Sequence, residues 1–388
     1  MVYFLQTEGI ISQIFFFLMF FVFVFLYPRL MLSQLIYKLD QSARKMEEMS
    51  HKANLMTAKK ASKHPSKEIK NAINEFTDFF VVEPSAIDPY GLVRKIDQTI
   101  RGMESRFSEF VDEIAGGKSY KEKQELNYGL RAAIGLRQIS KIVRHFVEMA
   151  KKFKNLQIAM ILQMQLPIIE KIAESEFHGT EAFMSGWPIG DSIGPLVAAS
   201  FVDKSEEIAE DVVAGKTAIN GRTCFVLKAK GPEPHLGRID EAIEYLMKRN
   251  SISRVITIDA AQKLEGEKSG SVAEGIGFAM GGIGQREMIE NVLLPKKIPV
   301  DSIVVKVGME DAIMPMKKDV FKSLPKVKTF VEKAVSRSKK GQKVIIIGVG
   351  NSSGVGDTKK TVGDVENIVN ELDKQYKKVA KEKKGRWF

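Results

Sequence analysis

The chain has 388 residues, 28% charged and 44% hydrophobic, a globular balance with room for a membrane segment and two domains. Its net charge of +11 asks for an anionic neighbour. No RNP, zinc-finger or helix-turn-helix signature is present, so no nucleic acid is expected and anionic lipid headgroups are. The single cysteine, Cys224, excludes an internal disulfide and fits a reducing compartment.

The first element is Ile10–Tyr27, apolar apart from Ser12 and Gln13. As a helix it is about 27 Å long, close to the roughly 30 Å hydrocarbon core of a bilayer. Tyr27 and Arg29 stand at its end as interface anchors do. Glu8 is the one charge before it, whereas Arg29, Lys38, Arg44 and Lys45 follow. The positive-inside bias therefore predicts a single-pass cell-membrane protein, N-terminus outside and the bulk cytoplasmic. A cleaved signal peptide wants a basic start and a small-residue cleavage site, and neither is found. Residues 1–29 are thus expected to form a transmembrane helix.

Residues 30–67 read as a juxtamembrane helix and linker. Leu32, Leu39, Met46 and Ala53 repeat every seven residues, with Leu35, Met49 and Met56 on the neighbouring seam. A coiled-coil stalk that makes a homo-oligomer and a lone amphipathic helix are both open, because Ser42 interrupts the seam. Lys59–Lys67 reads as a polar linker. Residues 68–175 read as a helical domain punctuated by Pro84, Pro89 and Gly116-Gly117. Its apolar stripes include Phe107, Phe110, Val111 and Ile114, then Leu130, Ile134, Val143 and Val147. Pro167 is expected to kink or split the last helix.

From residue 176 the period changes. Thr223–Lys228, Arg254–Asp259, Ser302–Val307 and Lys343–Gly348 are short Val/Ile-rich runs, alternating with helical spacing at Asp240–Lys248 and Val362–Lys377. Alternation of this kind predicts an α/β domain over 176–388, with a mostly parallel sheet, helices on its faces and a basic tail.

Two carboxylates stand out in that domain. Asp191 lies in Gly186-Trp-Pro-Ile-Gly-Asp-Ser-Ile-Gly-Pro195, a turn leading into an apolar run. It reads equally as a catalytic acid, a metal ligand or a helix N-cap. Asp259 ends a strand-like run, where open α/β sheets bind ligands. Brought together, two such acids would have split proton affinities, one holding a proton and the other activating water. A divalent metal between them stays open, and no cofactor is named by the sequence.

Gly348-Val-Gly-Asn-Ser-Ser-Gly-Val-Gly356 follows a strand and precedes a helix. Gly348, Gly350, Asn351, Gly354 and Gly356 could cradle an anion, or form a plain turn; the ending of a P-loop is absent. Gly275–Gly284 lacks dinucleotide spacing and reads as a tight backbone approach beside the site, with Gly281 and Gly282 as oxyanion donors. Ser192 is not in a G-x-S-x-G elbow. Cys224 reads as core, and His145 as a surface or core-edge histidine.

Pro188–Ala199, Ile258–Glu267 and Ala279–Gly282 resemble an archaeal membrane-protein family catalogued as domain of unknown function number fifteen-twelve. Across roughly Gly186–Val307 there is a further resemblance to the germination-protease and hydrogenase-maturation-protease fold. It is carried by Asp191-Ser-Ile-Gly-Pro195, Gly231-Pro-Glu-Pro-His-Leu-Gly-Arg-Ile-Asp240 and Ile258-Asp-Ala260. That likeness implies a three-layer, phosphorylase/hydrolase-like fold, with Asp191 and Asp259 on the two aspartates of peptide hydrolysis. The maturation proteases bind nickel with a later histidine, and no histidine follows Asp259 here. Two expectations follow: a membrane-anchored aspartate-dependent hydrolase or peptidase, and a non-catalytic scaffold or anion-sensing module on the same fold.

Overall fold

The computed structural model describes residues 2–82, 91–278 and 285–385. The expected breaks at Pro84 and Pro89 lie outside them. Five helices come first: α1 (Val2–Ala61), α2 (Lys67–Phe76), α3 (Leu92–Ala115), α4 (Tyr120–Phe153) and α5 (Leu156–Ser185). At 60 residues α1 is about 90 Å long. It runs through Pro28, and α5 runs through Pro167, where a kink or a split was expected, without splitting. Within the expected linker Lys59–Lys67, residues 62–66 separate α1 from α2, whose N–H of Ile69 is capped by Ser66 Oγ at 3.3 Å.

The chain forms two compact units. One joins residues 1–52 to 135–174. Here Ile14–Tyr27 is an unbroken exposed apolar surface. Ser12–Ala61 and Leu156–Ser185 are the described helices long and apolar enough, by length and composition, to cross a membrane; the second is partly buried. Further along α1, Leu39, Ala43 and Met46 are buried within the monomer. Arg144 of α4 grips Glu47 with Nε at 2.6 Å and Asp40 with Nη1 at 2.6 Å, while Lys151 reaches Asp40 at 2.8 Å. Rising numbers on α4 meet falling numbers on α1, so the two run antiparallel. Lys151 and Arg144 together hold the Asp40 carboxyl well below the usual range. Leu39 and Met46 of the heptad seam are thus covered inside the chain, as the amphipathic-helix alternative has it at these positions.

The other unit joins residues 53–134 to 175–388. A short 3-10 turn (Gly190–Ser192) leads into α6 (Ile193–Ala199), β1 (Ser205–Ala209), β2 (Val212–Ile219), β3 (Arg222–Ala229), α7 (Ile239–Arg249), β4 (Ile252–Gln262) and β5 (Ser271–Ile276). Then come α8 (Gln285–Leu293), β6 (Val300–Val307), α9 (Lys318–Phe321), α10 (Leu324–Ser336), β7 (Lys343–Gly348) and α11 (Thr361–Gly385). The seven strands form one sheet in the order β1-β2-β3-β7-β4-β6-β5.

Only the centre, β3-β7-β4-β6, is parallel; β1-β2-β3 and β6-β5 pair antiparallel. The mostly parallel sheet expected above is therefore a mixed one. Asn220-Gly221 supplies one physical reason. With φ of 49° and 77°, it makes the two-residue turn that folds β2 back on β3.

Central strands are apolar on both sides because both sides are covered. Val344 and Ile346 join Val226 and Ile258 in a core with Leu196 of α6, Val331 of α10 and Val369 of α11. Ile345 and Ile347 join Leu227 and Val255 in a second core with Ile243 of α7 and Ile289 of α8. Each such side chain contributes about 1.5–3 kcal/mol by leaving water. A third cluster holds α2, α3 and α4 around Phe76, whose ring stacks on Phe110 at 3.8 Å.

Candidate active site

The sheet sets the position of Asp259. β7 stops at Gly348, paired with Ile258, while β4 continues along β6 with Asp259 opposite Val304. Asp259 therefore stands one residue past the end of its neighbour, at the carboxyl end of the parallel strands, where a crevice opens. Its Oδ1 accepts from the Ala260 N–H at 2.7 Å, and the side chain is almost wholly buried.

Asp191 arrives from a turn more than sixty residues earlier. Gly190 N donates to Met314 O at 3.0 Å and Asp191 N donates to Ala312 O at 2.7 Å, so the segment after β6 holds the turn from one side. From the other side, Val349 N donates to Ile258 O at 2.8 Å and Asn351 N donates to Asp191 Oδ2 at 2.7 Å. Residues 349–351 thus bridge the end of β4 to Asp191. The N-cap of this turn is Ile189, not Asp191, and the Asp191 carboxyl is spent on Asn351 instead.

Close backbone packing demands glycine at this joint, Gly194 and Gly350 among them. A Cβ on Gly194 would lie 2.0 Å from Val349 O and 2.5 Å from Ile258 O. One on Gly350, at φ 119°, would lie 2.2 Å from Asp191 O.

Asp191 and Asp259 line the same cavity, of about 530 Å³. Glu176 of α5 and Arg131 of α4 line it too, together with Asn351 and an apolar wall that includes Tyr128, Phe183, Leu236 and Ile313. Burial pushes the Asp191 carboxyl up to about 6, against a smaller opposing effect of the Asn351 N–H. Burial likewise pushes Glu176 up to about 7. Proton-holding acids beside a strand-end aspartate are the arrangement acid–base catalysis requires. Among the described residues, no three or more His, Cys, Asp and Glu side chains are grouped so as to hold a metal ion.

Residues 13–186 match the family described as protein of unknown function (DUF1512), N-terminal domain, and residues 189–356 match domain of unknown function (DUF1512), C-terminal. The chain belongs to the DUF1512 family. No curated protein and no solved structure matches it. The boundary between the two DUF1512 domains, at residues 187–188, falls just ahead of the Asp191 turn. The DUF1512 C-terminal match takes in both aspartates and the glycine loop, whereas Arg131 and Glu176 come from the N-terminal one.

The loop of Gly348, Gly350, Asn351, Gly354 and Gly356 is committed inward. Ser352 N donates to His235 O, Ser353 N to Asn351 Oδ1, Gly354 N to Pro232 O and Gly356 N to Thr361 Oγ1. Ser352 Oγ donates to Lys230 O at 2.6 Å and Glu233 O at 2.8 Å. Lys228, 2% exposed, reaches Asp357 at 2.5 Å, and that carboxylate also accepts from Gly231 N. With these donors spent, the loop works as a buried buttress for Asp191 rather than as an open anion cradle.

Gly281 and Gly282, expected as oxyanion donors, lie outside the described residues. A Cβ on Gly275 or Gly277 would meet nothing within 4 Å, so no tight approach occurs there. Cys224 is fully buried and its thiol is pushed up to about 11, as a core residue's would be. His145 is exposed on α4. The sequence reading missed Glu176 and Arg131, since neither belongs to a motif. Glu176 is one of four glutamates in α5, with Glu170, Glu174 and Glu181, so nothing local sets it apart.

Proposed function

We propose that this chain is a membrane-anchored, aspartate-dependent hydrolase acting on peptide bonds, with a three-layer hydrolase-like domain on the cytoplasmic side. The observation that carries this reading is the shared cavity: Asp191 and Asp259, from separate segments, line one pocket at the carboxyl end of the parallel strands. Asp259 takes a proton from water, whose oxygen adds to the scissile carbonyl carbon. Asp191, holding its proton, gives it to the departing amine as the C–N bond breaks. Asn351 Oδ1 is held by Ser353 N at 2.9 Å, which leaves the Asn351 NH₂ as the donor to the developing oxyanion. The exposed apolar run Ile14–Tyr27 supports a bilayer anchor, with anionic headgroups meeting the basic residues that follow it.

The test is cleavage of a mixed peptide library by the detergent-solubilised full chain, read by mass spectrometry. Asp191→Asn and Asp259→Asn should each lower turnover by about 10²–10⁴-fold without changing the melting temperature much. Cleavage that persists unchanged in both variants ends the hydrolase reading.

One observation favours a second, scaffold role. Met160, Ile161, Met164 and Ile168 of α5 are exposed at helical spacing in the unit that carries the anchor, which suits association with a second copy. Because Cys224 is buried, a Met164→Cys chain in membranes should give a disulfide-linked dimer under oxidation; a purely monomeric product removes this reading.

A further inference from the structure

Arg131 is the cation of the site, and its surroundings are unusual for an arginine. Its guanidinium carbon sits 4.9 Å from the Phe107 ring centre and 4.6 Å from that of Tyr128. Nε donates to Asn127 Oδ1 at 2.9 Å. Aromatic faces and an amide thus fix the plane of the group before any ligand arrives. Among the described residues, Arg131 forms no close ion pair; Glu104 feels its charge, but burial pushes that carboxyl up, toward the neutral form. A half-buried guanidinium, preset and without a close ion-pair partner, suits an anion from outside, since Arg is fitted to bidentate carboxylate or phosphate.

The rest of the cavity selects between those anions. Asp259 is the charged acid beside the proton-holding Glu176 and Asp191, and a dianionic phosphate meets more repulsion from it than a single carboxylate does. Tyr128, Phe183, Leu236 and Ile313 supply an apolar wall that suits an aliphatic or aromatic side chain. At about 530 Å³ the space suits the end of a short peptide, within the roughly 300–1,000 Å³ usual for small-ligand sites.

Resting on the hydrolase reading above, we infer that the substrates are peptides with a free C-terminal carboxylate, taken by Arg131, and an apolar last side chain, taken by the adjoining wall. Water adds to the carbonyl ahead of that terminal stretch and the C–N bond breaks. The released amine, carrying the free carboxylate, takes the proton from Asp191. The activity is then that of a carboxypeptidase.

Binding is measured by fluorescence anisotropy on the full chain in nanodiscs, using Asp259→Asn to prevent turnover. The probes are N-terminally dye-labelled tetrapeptides ending in Leu, with either a free carboxylate or a carboxamide. The free acid should bind about tenfold tighter or more, the scale of one charge-assisted bidentate contact. Arg131→Gln on the same background should bring acid and amide within about twofold, and Arg131→Lys should keep part of the preference. A merely structural loss would weaken both probes alike. Equal binding of the two probes, or a preference that survives Arg131→Gln, overturns the inference, and so does absence of binding by either. Should Arg131→Gln not fold, the acid–amide comparison on Arg131-containing protein decides alone. Acid-selective binding without any cleavage by the wild-type chain would leave the carboxylate site standing and remove only the hydrolase. Cleavage blind to amidation would do the reverse.

Discussion

Glu176 shows how one buried acid couples the site to stability. Its folded value of about 7 lies above the ordinary 4.5, because burial disfavours the charged form. Between those two values the folded chain holds more protons than the unfolded one, so stability falls as pH rises from about 4.5 to about 7 and is level above. Glu176→Gln removes that loss. It should raise the melting temperature at pH 8 and leave it unchanged at pH 4. The gain should be about 1–3 kcal/mol, allowing 1.36 kcal/mol per unit and some screening by solvent. Equal melting at both pH values would show that the carboxyl is better solvated than its position implies. Asp191, raised to about 6, is disfavoured in its charged form for the same reason. Two such acids in one pocket are a cost to stability that packing elsewhere offsets, as is usual where acids serve chemistry.

At the scale of elements, the joint between α6, β4 and the loop after β7 decides where the aspartates sit. Gly194→Ala would drive a methyl against Val349 O and Ile258 O, both backbone atoms, and should cost about 1–3 kcal/mol or more. Gly275→Ala on β5 meets nothing and should stabilise by up to about 0.5–1 kcal/mol, since glycine weakens a strand. Urea denaturation of the two variants side by side checks the contrast; similar midpoints would refute it. The buttress behind Asp191 depends on Lys228 and Asp357 in the same way. Burial lowers the Lys228 proton affinity and the Asp357 carboxylate counters it. Lys228→Met strands that carboxylate and should cost about 3–5 kcal/mol, whereas the Lys228→Met/Asp357→Leu pair should recover most of the loss. A double variant no better than the single one would mean that the ion pair itself, and not its desolvated half, carries the stability.

For the whole molecule, the anchor is the testable proposal. Every residue from Ile14 to Tyr27 is exposed in the monomer, and an apolar patch of this size marks a surface covered by a membrane or by another protein. Phe17→Arg/Phe21→Arg places two charges mid-span, at about 2.5–3.5 kcal/mol each. The wild-type chain should stay in the pellet after alkaline carbonate extraction, and the double variant should move to the supernatant. Extraction of both alike would show that the run is covered by protein instead. The division of the chain bears on what can be cut away. Residues 53–134 belong to the unit that holds the sheet, so a break at the expected 175/176 boundary would remove Tyr128 and Arg131 from the site.

Local chemistry made much of this legible in advance. The apolar runs at β4 and β7 mark strands covered on both faces, and Asp259 at the exit of one and Asp191 in a Gly/Pro turn were readable as a pair. The length and bareness of the first apolar run were equally plain, because periodicity and turn propensity act over a few neighbours. The rest depended on groups far apart in the chain. Asn351 binds Asp191 across 160 positions and Ser353 Oγ binds Trp187 O across 166, so no window of sequence shows that the glycine loop is a buttress. The Asn220-Gly221 turn makes the sheet mixed only through which strands pair. Likewise the Leu39–Met46 seam is apolar whether a partner chain or this chain's own helices cover it. Glu176 and Arg131 entered the site only through tertiary packing. Desolvation and unspent hydrogen-bond donors are properties of a folded environment, which residue identity alone does not carry.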